Sequence, residues 1–98
     1  MNTSFTARHF EASARLKSHA EESVTKLTKF YDGILDCDII MEPSKNHDNP
    51  QSVELMVKVT GDLLKASEQA PTYEQALNKA IENMSRQLKK YKNKRFSK

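Results

Sequence analysis

The residues best suited to chemistry crowd the C-terminal end of this 98-residue chain. Between positions 86 and 98 stand Arg86, Lys89, Lys90, Lys92, Lys94, Arg95 and Lys98, seven basic groups with no acid among them. The other nine basic residues are outnumbered by thirteen acidic ones, so residues 1–85 carry a formal −4 although the whole chain is +3. Cations at that density suit phosphates, because each contact releases a counterion from a nucleic-acid backbone. Compensation of a helix macrodipole needs only a few of them. Tyr91 and Phe96 lie among these cations, where aromatic rings either stack on unpaired bases or pack on the domain. Tyr91 falls in step with an apolar stripe, which favours packing, and Phe96 is the better candidate for contact with a partner.

Other reactive groups form poorer constellations. His9, His19 and His47 share no spacing, and the single Cys37 can close no internal disulfide and completes no zinc-ligand pattern. Asp36, Asp38 and Glu42 recur along one side of a strand. They could act as acid and base or as cation ligands, but on a sheet face turned to water they serve solubility. The sequence contains no glycine-rich phosphate loop, nucleophile motif or ordered triad. The expectation is a protein that is not an enzyme, with no cofactor, metal or small-molecule substrate. The longest aliphatic run, Ile39-Ile40-Met41, falls far short of the ~18 apolar residues a membrane span requires, and Met1-Asn2-Thr3-Ser4 lacks an export signal. A soluble cytoplasmic protein, monomeric when free and without a membrane partner, is expected.

The elements that must position the cations can be read from periodicity. A first strand is expected within residues 3–10, carrying Phe5, Ala7, His9 and Phe10. Ser13 offers a cap, and Leu16, Ala20, Val24, Leu27 and Tyr31 recur at helical spacing to Tyr31, with Glu22 and Lys26 set as an i,i+4 pair. After Asp32-Gly33, residues Leu35, Cys37, Ile39 and Met41 alternate with Asp36, Asp38, Ile40 and Glu42 as a half-buried strand. Pro43 to Gln51 reads as a loop, Val53 to Val59 as a strand, and Thr60-Gly61-Asp62 as the turn into a strand from Leu63 to about Ser67. From Thr72 a second helix carries Tyr73, Leu77, Ala80, Ile81, Met84, Leu88 and Tyr91 on one stripe, with Lys79, Glu82, Arg86, Lys89 and Lys90 opposite. The order β-α-β-β-β-α predicts an α+β fold, a four-stranded sheet with two helices packed on one face. One domain spans 1–98, and residues 93–98 are expected to form a flexible basic tail.

Tyr73, Ala76-Leu77, Ala80-Ile81 and Arg86-Gln87-Leu88-Lys89-Lys90-Tyr91-Lys92 resemble the closing helix of the ribosome hibernation-promoting factors. Phe10-Glu11-Ala12-Ser13, Val24-Thr25-Lys26-Leu27, Phe30-Tyr31-Asp32 and Lys65-Ala66-Ser67 extend that resemblance over nearly the whole chain. The resemblance implies a double-stranded-RNA-binding-domain-like fold that docks on the small ribosomal subunit between head and body. There it blocks the path of mRNA and of A- and P-site tRNA. Carried over by position, the rRNA-binding set is Lys26 and Lys29 on the first helix with Arg86, Lys89, Lys90 and Lys92 on the last. Lys79 is a weaker member, and the charge run adds Lys94 and Arg95. The pattern departs from relatives at Pro71-Thr72, where many carry an Asp-Met pair, and at Ser23, where a relative carries a cation. Ending at Lys98, the chain resembles the short form, whose members either work with a separate ribosome-dimerisation factor or silence single ribosomes. Two other readings use the same residues. One is a general double-stranded-RNA or ribosome-assembly module, and the other an interaction domain whose acidic sheet face meets a basic partner.

Overall fold

Ser13 opens the first helix as its position predicts. Its backbone is extended, and its Oγ accepts a hydrogen bond from the Leu16 N–H at 3.0 Å, satisfying one of the donors a helix start leaves unpaired. In this computed structural model, which describes residues 1–96 with side chains through Lys94, the order is β1 (Asn2–Ala7), α1 (Ala14–Val24), a 3₁₀ segment (Thr25–Lys29), β2 (Asp36–Pro43), β3 (Gln51–Val59), β4 (Asp62–Ala70) and α2 (Tyr73–Phe96). The strands lie in the order β1-β2-β3-β4. β1 pairs in parallel with β2, Phe5 opposite Ile39, which the α1 crossover makes possible. The other pairs are antiparallel, with Ile39 opposite Leu55 and Leu55 opposite Ala66.

Alternation fixes which face is covered. Cys37, Ile39, Met41, Val53, Leu55 and Val57 are fully buried on one side of the sheet, together with Val24 and Leu27 before β2 and Leu77, Met84 and Leu88 of α2. Both helices therefore cover the same face. Each such aliphatic side chain contributes about 1.5–3 kcal/mol relative to exposure, so this one layer holds the fold. The opposite face, with Asp36, Asp38, Glu54 and Lys58, meets solvent.

The structure differs from the sequence expectations at several element ends. β1 ends at Ala7, and His9 leaves the strand with φ at 65°, starting the bend toward α1. The first helix does not run unbroken to Tyr31. Thr25 Oγ1 donates to the Glu22 carbonyl at 2.6 Å and Thr28 Oγ1 to the Thr25 carbonyl at 2.7 Å, i to i−3 bonds that favour a 3₁₀ winding. Glu22 lies in α1 and Lys26 in the 3₁₀ segment, and the two form no ion pair. Leu35 precedes β2 and is 47% exposed, while Ile34 is buried at 5%. The two-residue alternation begins only at Asp36, because residues 33–35 bend past Tyr31; a Cβ on Gly33 would stand 2.6 Å from that ring. β4 runs on to Ala70, and α2 stays helical to Phe96 where a coil was expected from residue 93, since no Pro or Gly interrupts Lys92 to Phe96.

Burial, helped by the neighbouring Asp38 charge, pushes the Cys37 thiol up from 9.0 to about 12. The folded state therefore holds this proton more tightly than the unfolded chain does. The resulting stability is intact below pH 9 and is lost as pH rises toward 12. At pH 8 a disulfide exchange reagent is expected to leave Cys37 unmodified in the native protein and to react at once in denaturant. Stoichiometric labelling of the native protein within minutes would contradict this burial.

Candidate nucleic-acid interface

The rotation of α2 about its own axis decides which cations look outward, and two sets of contacts fix it. Along the β4 side, Lys79 Nζ donates to the Gln69 carbonyl at 3.5 Å and Asn83 Nδ2 to Glu68 Oε2 at 2.9 Å. One turn on, Gln87 Nε2 donates to the Lys65 carbonyl at 2.6 Å and to Asn83 Oδ1 at 2.9 Å. Lys90, Tyr91 and Lys94 then flank a shallow concavity of about 620 Å³ with Asp62, Leu64 and Gln87. The Tyr91 hydroxyl donates to the Thr60 carbonyl at 2.6 Å, pinning the helix to the β3–β4 turn, where Gly61 takes a left-handed φ of 80°. Tyr91 is thus an anchor, as its place on the stripe suggested.

On the other side α2 meets α1 and the 3₁₀ segment. Tyr31 and Tyr91 pack edge to face at 5.3 Å, and Lys89 Nζ lies 4.8 Å from the centre of the Phe30 ring. Ser23 and Ser85 are both buried. Ser23 therefore occupies a position where a small side chain fits and a long cation would be crowded. At the start of α2 the Phe10 and Tyr73 rings stack at 4.5 Å, and Thr72 Oγ1 accepts from the Gln75 N–H at 3.1 Å, the cap expected in place of the relatives' acid.

Lys26, Lys29, Lys79, Arg86, Lys89, Lys90, Lys92 and Lys94 are all exposed, and the backbone places all but Lys26 and Lys29 on α2. Lys89 rests over the ring of Phe30, the residue that follows Lys29 at the end of the 3₁₀ segment. Lys79 stands about two turns of helix before Arg86, apart from the others. Arg86 Nη1 pairs with Glu82 Oε1 at 3.3 Å, an exposed i,i+4 contact of little energetic weight. The Arg95 side chain, and Phe96 as a partner contact, lie outside the described side chains. Sequence periodicity missed Asn83 and Gln87. Their amides lock α2 onto β4, and the only signal was that both lie between the apolar stripe and the cations. Among the described residues no cluster of His, Cys, Asp and Glu could hold a metal ion, and no helix is long and apolar enough to cross a membrane.

A four-stranded sheet covered on one face by two helices, the second carrying exposed cations on its outer surface, defines a small α+β domain. Comparison narrows the class. Residues 3–95 match the family described as sigma 54 modulation protein / S30EA ribosomal protein, and the chain belongs to this ribosome hibernation-promoting factor family. It is 26% identical over 94 residues to the ribosome hibernation promotion factor of Bacillus subtilis, covering 96% of this chain and 50% of that protein. The factor of Deinococcus radiodurans is likewise 26% identical over 89 residues, 89% of this chain and 47% of its own length. The chain thus spans about half of the curated relatives it matches. Its fold is shared with a ribosomal subunit interface protein of Coxiella burnetii (TM-score 0.83, 22% identity, 94% of this chain and 98% of the other). It is shared also with the N-terminal domain of Thermus thermophilus Protein Y (TM-score 0.78, 20% identity, 93% and 99%).

Gln87→Ala removes two hydrogen bonds that tie α2 to β4 and to its own preceding turn. At about 1 kcal/mol per bond, Tm is expected to fall by roughly 5–15 °C with native helix content retained below the transition. Lys90→Ala, which removes no hydrogen bond or ion pair among the described residues, should leave Tm within a degree or two by the same thermal melt.

Proposed function

We propose that this domain is a ribosome hibernation factor that binds the small ribosomal subunit between head and body. It would occupy the mRNA and A/P-site tRNA path and stop translation in resting cells. The observation that carries the reading is the cluster of exposed cations from Arg86 to Lys94 on a helix whose apolar stripe is already committed to the core. Such a helix presents charge rigidly and has no apolar face left for a membrane. Family membership and the relatives' names support the ribosome as the source of the phosphates. Inhibition then needs no chemistry: a rigid body held by phosphate contacts excludes mRNA and tRNA by occupancy. The rRNA-binding set is Lys26, Lys29, Lys79, Arg86, Lys89, Lys90, Lys92, Lys94 and Arg95, and the protein acts in the cytoplasm.

Co-sedimentation with purified ribosomal subunits tests this. The unaltered protein is expected to travel with small subunits, and a variant with Arg86, Lys89, Lys90 and Lys92 changed to Glu to stay in the supernatant. Retention of that variant would overturn the mechanism. If about six phosphates are neutralised, raising salt from ~50 to ~200 mM lowers affinity roughly a thousandfold. Equal affinity for free RNA duplexes would instead mark a general double-stranded-RNA module.

Glu82 is the acid on this ridge and occupies Arg86 in the free protein. Glu82→Gln removes a repulsive charge and frees the guanidinium, so it should tighten binding to small subunits several-fold at low salt. The gain should shrink as salt rises. Weaker binding of this variant in the same assay would show that Arg86 does not face the RNA.

A further inference from the structure

The cations of α2 do not form one row. Lys90 and Lys94 follow Asn83 and Gln87 at spacings of three and four, and those two residues are bonded to β4, so this line runs along the β4 flank. Lys89 and Lys92 follow the buried Ser85 at spacings of four and three, on the flank where Lys89 rests over Phe30. On that second flank the 3₁₀ winding matters, because at three residues per turn Lys26 and Lys29 eclipse and project as one column. Between the two lines the crest of the helix carries Gln75, Lys79, Glu82, Arg86 and Asn93, with Glu82 and Arg86 paired to each other.

A single strand is best tracked by cations along one groove. A polar, nearly neutral crest with cations on both sides, set apart by a helix about 10–12 Å across, suits a cleft with phosphates on both walls. The wide, shallow minor groove of A-form RNA is such a cleft. Its floor offers 2′-hydroxyls and base edges to the amides and guanidinium of the crest.

We propose that α2 enters a minor groove of folded RNA crest first, with Lys90 and Lys94 gripping one backbone and Lys89, Lys92, Lys26 and Lys29 gripping the other. This rests on the RNA-binding reading above and adds to it the shape of the RNA and the division of labour between flanks.

Two measurements on the full chain test it, with small ribosomal subunits as the probe. Neutralising either flank, by Lys90→Gln with Lys94→Gln or by Lys89→Gln with Lys92→Gln, should weaken binding and lower the salt slope by about 2 in each case. Tethering a hydroxyl-radical source at Lys94→Cys or at Lys92→Cys is specific, since Cys37 is fully buried. The two probes should cut two different rRNA backbone segments that lie across one groove. Cuts in the same segment from both positions, or a flank whose neutralisation leaves affinity and salt slope unchanged while the protein still binds, would overturn the wedge and leave the RNA-binding reading standing. Failure of even the unaltered protein to bind would overturn both.

Discussion

Burial of one stripe of α2 against β3 and β4 is the constraint on which the rest depends. Tyr73, Leu77, Ala80, Met84 and Leu88 are all under 9% exposed, and this fixes both the position of the helix and its rotation. Rotation decides which cations face outward. A helix free to turn by 100° would exchange one set of lysines for another. The apolar stripe sets the rotation coarsely, and the amides of Asn83 and Gln87 on β4, with the Tyr91 hydroxyl on Thr60, set it finely. The same contacts that stabilise the domain therefore aim the cations of α2.

Much of this was legible in the sequence because the physics that carried it is periodic. The strand alternation from Cys37 to Met41 and from Val53 to Val59, the Ser13 and Thr72 caps and the α2 stripe each obey a local rule, and each holds in the structure. What escaped was set by interactions a period cannot encode. Threonine hydroxyls bonding backward tighten the end of the first helix into 3₁₀, the Tyr31 ring against Gly33 displaces the start of β2, and α2 outlasts its stripe because Lys92 to Phe96 lack a breaker. For the candidate site, the cations were visible as composition, and their division between two flanks was not. That division follows from which neighbours, Phe30 or β4, lie on either side of the helix.

The polarity of charge completes the account. Asp36, Asp38 and Glu54 line the exposed sheet face, whereas the cations from Arg86 to Lys94 gather along α2, so the charge of the domain is polarised. Under the function proposed above, orientation and rigidity together suit action by occupancy. The measurement that bears most directly on this is an electron cryomicroscopy structure of the protein bound to the small ribosomal subunit. The account predicts the outer face of α2, from Arg86 to Lys94, against rRNA phosphates, with the open face of the sheet turned away. A complex in which the sheet face meets the rRNA and α2 faces solvent would contradict it.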